Sequence, residues 1–340
     1  MFSRGSCCSC CWQVKHLTVI TSPGGVRPYC RFQRSDRMEA LILTVLLTSV
    51  PLIFAATGEL VAERSGVLNL GVEGMMLMGA VSAFAATSIL GNPYMGILAG
   101  AVAGAMTAAV FSLFALGLAT NQVATGLALT IFGSGLSGLV GAPFVGGTVD
   151  GLPNLAIPLL ADIPVIGDLL FNHDIMVYLS IGFLVFVAWF LNRTRAGLVL
   201  RAVGNSHDSA HALGYRVLLV RFGAVSFGGM MAGLGGAYLP LVLTPHWSEG
   251  MTAGRGWIAL ALVVFASWIP SRILVGALLF GGITIMQLAG QARGWTVPSQ
   301  MLSMLPYIAT IIVLVVIARN RDFALANSPA CLGRLFIGNK

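Results

Sequence analysis

Glu59, Glu63, Arg64, Asn69 and Glu73 fall inside one otherwise apolar stretch, GELVAERSGVLNLGVEGMMLMGA, residues 58–80. Charged groups inside a membrane are expensive, so each of these is a functional candidate. Glu73 has apolar residues on both sides, and Gly71 and Gly74 around it point to an unwound segment. Broken helices near the bilayer midplane mark transport paths. Glu59, Glu63 and Arg64 also fit a plainer role, a cytoplasmic turn with Glu63 and Arg64 paired or solvated. A second Gly-interrupted segment, EGMTAGRGW at 249–257, stands before a later span. Asn121, Gln122 and Thr125 open another span and either face a pore or cap a helix. Trp257 and Phe227 can stack a flat ring in such a pore, or Trp257 can serve as an interface anchor.

Other constellations are poorer. His207 and His211, with Asp208 between, give half a metal site and no third ligand, which fits a solvated helix better. Cys7, Cys8, Cys10, Cys11 and Cys30 crowd the first 37 residues with only His16 beside them, and Cys331 stands alone, so no metal is expected. Lys occurs only at positions 15 and 340, which excludes a GxxxxGK[ST] phosphate loop and ATP hydrolysis by that route. No nucleophile elbow or His-Glu-x-x-His is present, so an enzyme is not expected and no cofactor is expected on this chain.

The elements that must position these residues are membrane helices. Of 340 residues, 57% are hydrophobic and 9% charged, far from the roughly one quarter charged of a soluble domain. Apolar windows near bilayer length recur at 40–57, 66–90, 94–118, 123–140, 175–191, 222–243, 257–268, 273–290 and 305–318. The expected fold class is therefore an all-α polytopic membrane protein of about eight to ten transmembrane helices, some broken or re-entrant. Small residues four apart (Gly96, Gly100 and Gly104; Gly133, Ser137 and Gly141; Gly229 and Gly233) fit tight packing within one subunit better than a dimer face.

Positive charge sets orientation. The loop 193–221 carries Arg193, Arg195, Arg201, Arg216 and Arg221 against Asp208 and is expected in the cytoplasm. The 142–174 loop holds Asp150, Asp162, Asp168 and Asp174 with no Lys or Arg and is expected outside, while Arg272, Arg319 and Arg321 lie inside. The net charge of +7 sits in tails and one loop, which is no nucleic-acid signature. Residues 1–37 are unlike the rest and are expected to be a disordered tail or a misassigned start, with translation from Met38. Residues 38–322 form the membrane domain and 323–340 a cytoplasmic tail.

Inside the basic loop, Asn205 or Ser206 can cap a short helix carrying Asp208, Ala210 and Leu213, and Gly214 can end it. Such a helix is too short to be stable alone and fits docking into a groove on a partner. An orienting loop with no further role is the alternative.

The chain resembles the permease subunits of bacterial ABC importers, in the inner-membrane translocator family of ribose-type and branched-chain amino-acid permeases. The nucleoside permeases that work with a Bmp-type lipoprotein are the members it is most similar to. The residues that carry this are ERSGVLNLGVEGMMLMGA (63–80), QVATGLAL (122–129), LRAVGNSHDSAHALGY (200–215), EGMTAGRGWIALALVVFA (249–266) and MLPYIATIIVLV (304–315). The resemblance implies that 200–215 couples to an ABC ATPase subunit, which hydrolyses ATP for the permease. In the family an acidic-Asn-Pro run follows the glycine matching Gly204; here Asn205, Ser206 and His207 stand there. It also implies a second homologous permease subunit, a periplasmic or lipoprotein substrate-binding protein, and a multi-pass location in the bacterial inner membrane. The expected function is translocation of a small polar solute, a nucleoside first, with a simple sugar such as ribose or a branched-chain amino acid next. The expected solute path takes in Asn69, Glu73, Gln122, Thr125 and Trp257, and coupling takes in Arg201, Gly204, Asp208, Ala210 and Gly214. A stand-alone secondary transporter would need several intramembrane carboxylates, of which only Glu73 qualifies. A structural scaffold would not need broken Gly-rich segments.

Overall fold

The computed structural model describes residues 33–156, 172–294, 298–318 and 327–336. The N-terminal cysteines, Asp162, Asp168, Arg319 and Arg321 lie outside the described residues. The chain divides into two units, Met1–Met38 and Glu39–Lys340. Helix α1 (Gln33–Arg64) begins inside the stretch expected to be tail, and the remaining description concerns the second unit.

Twelve α-helices follow one another among the described residues: α1, α2 (Val72–Leu90), α3 (Pro93–Ser112), α4 (Gln122–Gly141), α5 (Ile175–Arg193), α6 (Arg195–Asn205), α7 (His207–Ala212), α8 (Val217–Tyr238), α9 (Arg255–Phe265), α10 (Pro270–Ala292), α11 (Ser299–Ser303) and α12 (Leu305–Ala318). Wide turns at Leu113–Gly117 and Leu239–Leu243 extend α3 and α8. Seven segments are long and apolar enough to cross a membrane, and Arg255–Phe265 and Gln300–Ile312 are shorter apolar helices. These are the nine apolar elements of the sequence, and the protein is an all-α polytopic membrane protein.

Local chemistry explains the helix starts. Asn92 accepts from the Tyr94 amide at 3.0 Å, with Pro93 at the first helical position of α3. Asn121 accepts from Val123 and Ala124, so this residue caps α4. Asp174, Thr194 and Ser206 do the same for α5, α6 and α7. Gly91 ends α2 in the left-handed region at φ 64°.

At the centre is α8, which meets three neighbours through glycines. A Cβ on Gly104 would run into the Gly229 carbonyl, one on Gly79 into Gly233, and one on Gly58 would lie 2.6 Å from the Met231 Cβ. The small-residue stripes therefore pack α1, α2, α3 and α8 onto one another inside a single subunit. Phe54, Met75, Met76, Phe111, Met231 and Tyr238 fill the space between them, fully buried. Among the described residues, strand structure is confined to Leu155–Ala156 paired antiparallel with Asn172–His173, and to a bridge between Thr148 and His246.

Two span boundaries differ from the sequence reading. The first helix runs on to Arg64, so Glu59 and Glu63 lie on α1, about 1% exposed, and not in a solvated turn. The second helix starts at Val72, six residues later than expected, because Gly66 (φ +90°) and the Asn69 side chain shape residues 65–71 into a non-helical loop.

Candidate functional site

Glu59, Asn69 and Gln122 serve one construction, the non-helical loop 65–71 that leads from α1 into α2. Gln122 Oε1 accepts from the Leu68 amide at 2.9 Å, and Glu59 Oε1 accepts from the Asn69 amide at 3.3 Å. Asn69 Oδ1 accepts from the Gly71 amide at 3.0 Å. Backbone groups that water would satisfy elsewhere thus find side-chain partners. Depth can be read against α4: Gly126 lies against Leu70 and Gly71, and Gly133 against Gly74, with a Cβ on Gly133 reaching 2.8 Å from the Gly74 Cα. The start of α2 therefore sits beside the middle of a spanning helix.

Helix α9 starts at the same place. Glu73, in the first turn of α2, accepts from the Thr252 hydroxyl at 2.5 Å and the Gly254 amide at 2.8 Å through Oε1. Its Oε2 accepts from the Gly256 amide at 2.7 Å. The first amides of a helix have no partner within it and carry partial positive charge, so a carboxylate is their natural cap. Gly254 (φ +79°) makes the turn, and Gly256 admits the Glu73 backbone, since a Cβ there would come within 2.6 Å of the Glu73 Cα. Two interrupted helices are thereby joined start to start through one buried carboxylate, 7% exposed. The sequence marks Glu73 and EGMTAGRGW separately; nothing in it shows that one caps the other.

The remaining path candidates divide. Trp257, next after Gly256 in the first turn of α9, is 38% exposed. Asn69 is buried in the loop that leads into α2, and Gln122, buried at the start of α4, holds that loop from outside it. Thr125 bonds Thr120 Oγ1 at 2.8 Å and lines a cavity of about 450 Å3 with Phe111 and Phe132. Phe227 packs edge-on against Phe183 at 6.3 Å and lines a different, apolar cavity with Phe186 and Phe190.

The basic loop folds into α6 and α7. Ser206 caps α7 by accepting from the Ser209 amide at 3.3 Å, and Gly214 (φ +86°) follows its end, as their sequence positions suggest. Asp208, His211, Leu213 and Tyr215 are exposed, whereas His207 and Ala210 face inward. Gly204 lets α6 lie on the Arg64–Gly66 backbone, where a Cβ would strike the Arg64 carbonyl. Arg201 is half-buried on the inner side of α6.

Arg221, which the sequence enters only as loop charge, is 1% exposed and ties four segments together. It donates to Ser65 O at 3.2 Å, to Arg334 O at 3.1 Å and to His207 Nδ1 at 3.4 Å. The C-terminal segment 327–336 thus packs behind α7, with Cys331 N donating to Gly204 O at 2.9 Å and the Phe336 ring edge-on to both His207 and His211. Burial first, then the Arg221 charge, hold the His207 imidazole below the usual histidine range, with Asp208 at 3.5 Å pulling the other way. Its Nδ1 accepts from a guanidinium, which leaves Nε2–H to face Asp208.

The family described as "Branched-chain amino acid transport system / permease component" matches residues 41–315. The chain is similar to the "Putative glucose ABC transporter permease protein TsgC13" of Haloferax volcanii, 38% identical over 296 residues, 81% of this chain and 90% of that one. It is 32% identical to the nucleoside ABC transporter permease protein NupC of Lactococcus lactis, over 82% of this chain and 92% of that one. It is 30% identical to the guanosine ABC transporter permease protein NupQ of Bacillus subtilis, over 85% of this chain and 95% of that one. With apolar spans, interrupted helices and a capped basic loop all inside the matched region, the chain belongs to this family of permease components, multi-pass membrane subunits of ABC transporters that work with ATPase and substrate-binding partners.

Proposed function

We propose that this permease imports a nucleoside across the bacterial inner membrane, with ATP hydrolysed by a partner subunit. The observation that carries the substrate is the pair of relatives named for nucleoside and guanosine, aligned over more than four fifths of this chain. The exposed Trp257, next after Gly256 in the first turn of α9, suits a flat base. In this reading Glu73 holds the junction, and Asn69 and Gln122 hold the loop beneath it. Thr125 lies beside the neighbouring cavity. The glucose-named relative, at 38% identity, favours a sugar as the second reading. Uptake of labelled guanosine by the assembled transporter, competed with other nucleosides and with glucose, separates them. Competition by glucose alone removes the nucleoside reading.

The permease domain, 38–322 in this reading, pairs with a second homologous permease and receives solute from a lipoprotein or periplasmic binding protein. Residues 1–37 and 323–340 flank it, and of these 327–336 packs behind α7. Coupling runs through 193–221: Asp208 and the exposed Leu213 face the ATPase, Ala210 packs inward, Gly204 and Gly214 set the backbone, and Arg201 lies half-buried on α6. Leu213→Asp changes a side chain 77% exposed and leaves the fold alone. It is expected to abolish ATPase co-purification and uptake while membrane insertion persists. Retained co-purification would leave the loop with topology alone.

A further inference from the structure

A cavity of about 520 Å3 opens at the end of α1, lined among others by Arg64, Asn192, Arg201, Asn205, Trp268 and Pro270. That volume is within the range of small-ligand sites, ~300–1,000 Å3. Two guanidinium groups line it, and among the described residues no carboxylate lies within 4.0 Å of either. Arg64 donates one Nη to the Trp268 carbonyl at 2.8 Å, yet the Nε of Arg64 and the Nε of Arg201 are both buried with no hydrogen-bond partner. Both Nε atoms are closed off from the cavity, so an acceptor there would meet the Nη ends of the two guanidinium groups. The two charges also repel each other.

A third positive feature comes from α10. Its N-terminus, Trp268 to Pro270, forms part of the wall, and its N-cap Ile269 supplies no side-chain cap. The partial positive end of a 23-residue helix therefore adds to two arginines. Among the described residues the neighbouring acid Glu63 is occupied: it accepts from the Trp268 indole N–H at 2.5 Å, pinning the wall in place. Leu198, 60% exposed, and Ile269 make an apolar rim beside this polar floor.

We propose that this cavity binds a phosphate-bearing anion, held by the guanidinium groups of Arg64 and Arg201 at the mouth of α10. Phosphate suits the site because its several oxygens can accept from both planar guanidinium forks at once. The apolar rim beside a basic pocket at the end of the spans fits an acidic phospholipid headgroup, and free phosphate shares the same chemistry. The inference does not depend on the nucleoside reading; it shares Arg201 with the coupling reading, and ATPase co-purification separates the two.

The test uses the full chain in its assembled transporter. One arm reconstitutes it in phosphatidylcholine nanodiscs with and without phosphatidylglycerol and counts acidic lipid retained after extraction. The other titrates inorganic phosphate into the delipidated complex and follows the melting temperature. Phosphatidylglycerol retention that falls at least tenfold in Arg201→Gln and in Leu198→Glu, and by less in Arg201→Lys, which keeps the charge but not the fork, supports the headgroup as ligand. A phosphate-dependent rise in melting temperature lost in Arg201→Gln, without lipid retention, supports free phosphate. The Leu198→Glu change puts a carboxylate at an exposed rim position, so its result does not hinge on refolding the cavity wall. Equal lipid retention in all variants together with no phosphate effect overturns the proposal. So does loss of ATPase co-purification in Arg201→Gln with no binding of either anion to wild type, which would assign the arginines to a partner's carboxylates.

Discussion

Glu73 on α2 and Gly256 on α9 are 183 positions apart, and the carboxylate of one accepts from the backbone amide of the other at 2.7 Å. That bond and its two companions, from Thr252 and Gly254, join the starts of two interrupted helices. A carboxylate so engaged holds geometry and has little left to offer a solute. Its influence on transport acts through the position of α9 and of Trp257.

Glu73→Ala would leave two buried donors and one part-buried donor without an acceptor. The expected loss is about 3 kcal/mol or more, with uptake abolished. Glu73→Gln keeps one accepting oxygen and is expected to lose less. Thermal unfolding in detergent beside uptake checks both; a wild-type midpoint for Glu73→Ala would rule out the clamp.

The glycines of α4 give opposite expectations on one helix. Gly135 has open space around it, so Gly135→Ala is expected to gain about 0.5–1 kcal/mol from helix propensity. Gly133→Ala would press 2.8 Å from the Gly74 Cα and is expected to lose about 1–3 kcal/mol. Denaturation of the two variants in parallel decides whether Gly133 carries the contact with α2.

His207 makes the packing behind α7 pH-dependent. Its imidazole is held below the usual histidine value, so the unfolded chain takes up the proton first as the pH falls. The contact is at full strength above about pH 6.5 and weakens as the pH drops below it. Hydrogen exchange in 327–336 is expected to quicken between pH 7.5 and pH 5.5, and to lose that dependence in His207→Gln.

Arg221→Lys keeps the charge but not the fork that reaches Ser65 O, Arg334 O and His207 together. Cleavage of the C-terminal segment by added protease is expected to become several-fold faster, and Arg221→Met should go further. Equal protection in both variants would show that the Cys331 and Phe336 contacts hold the segment alone.

Much of this protein is legible along the chain. Apolar windows locate nine elements because a bilayer leaves a backbone little choice but helix. Asn121 and Ser206 mark helix starts because capping is local chemistry within three residues. Glu73 stands out because a charge among apolar neighbours is costly wherever it lies. The partners were not legible. Whether Glu59 and Glu63 sat in water or inside α1, whether Gly104 met a second subunit or Gly229, and what Glu73 and Arg221 held were all decided by contacts between residues far apart in sequence. Composition and spacing determine which groups must be satisfied; only the packed helices determine by whom, because buried hydrogen bonds and glycine contacts are set by distances of a few ångströms between separate elements.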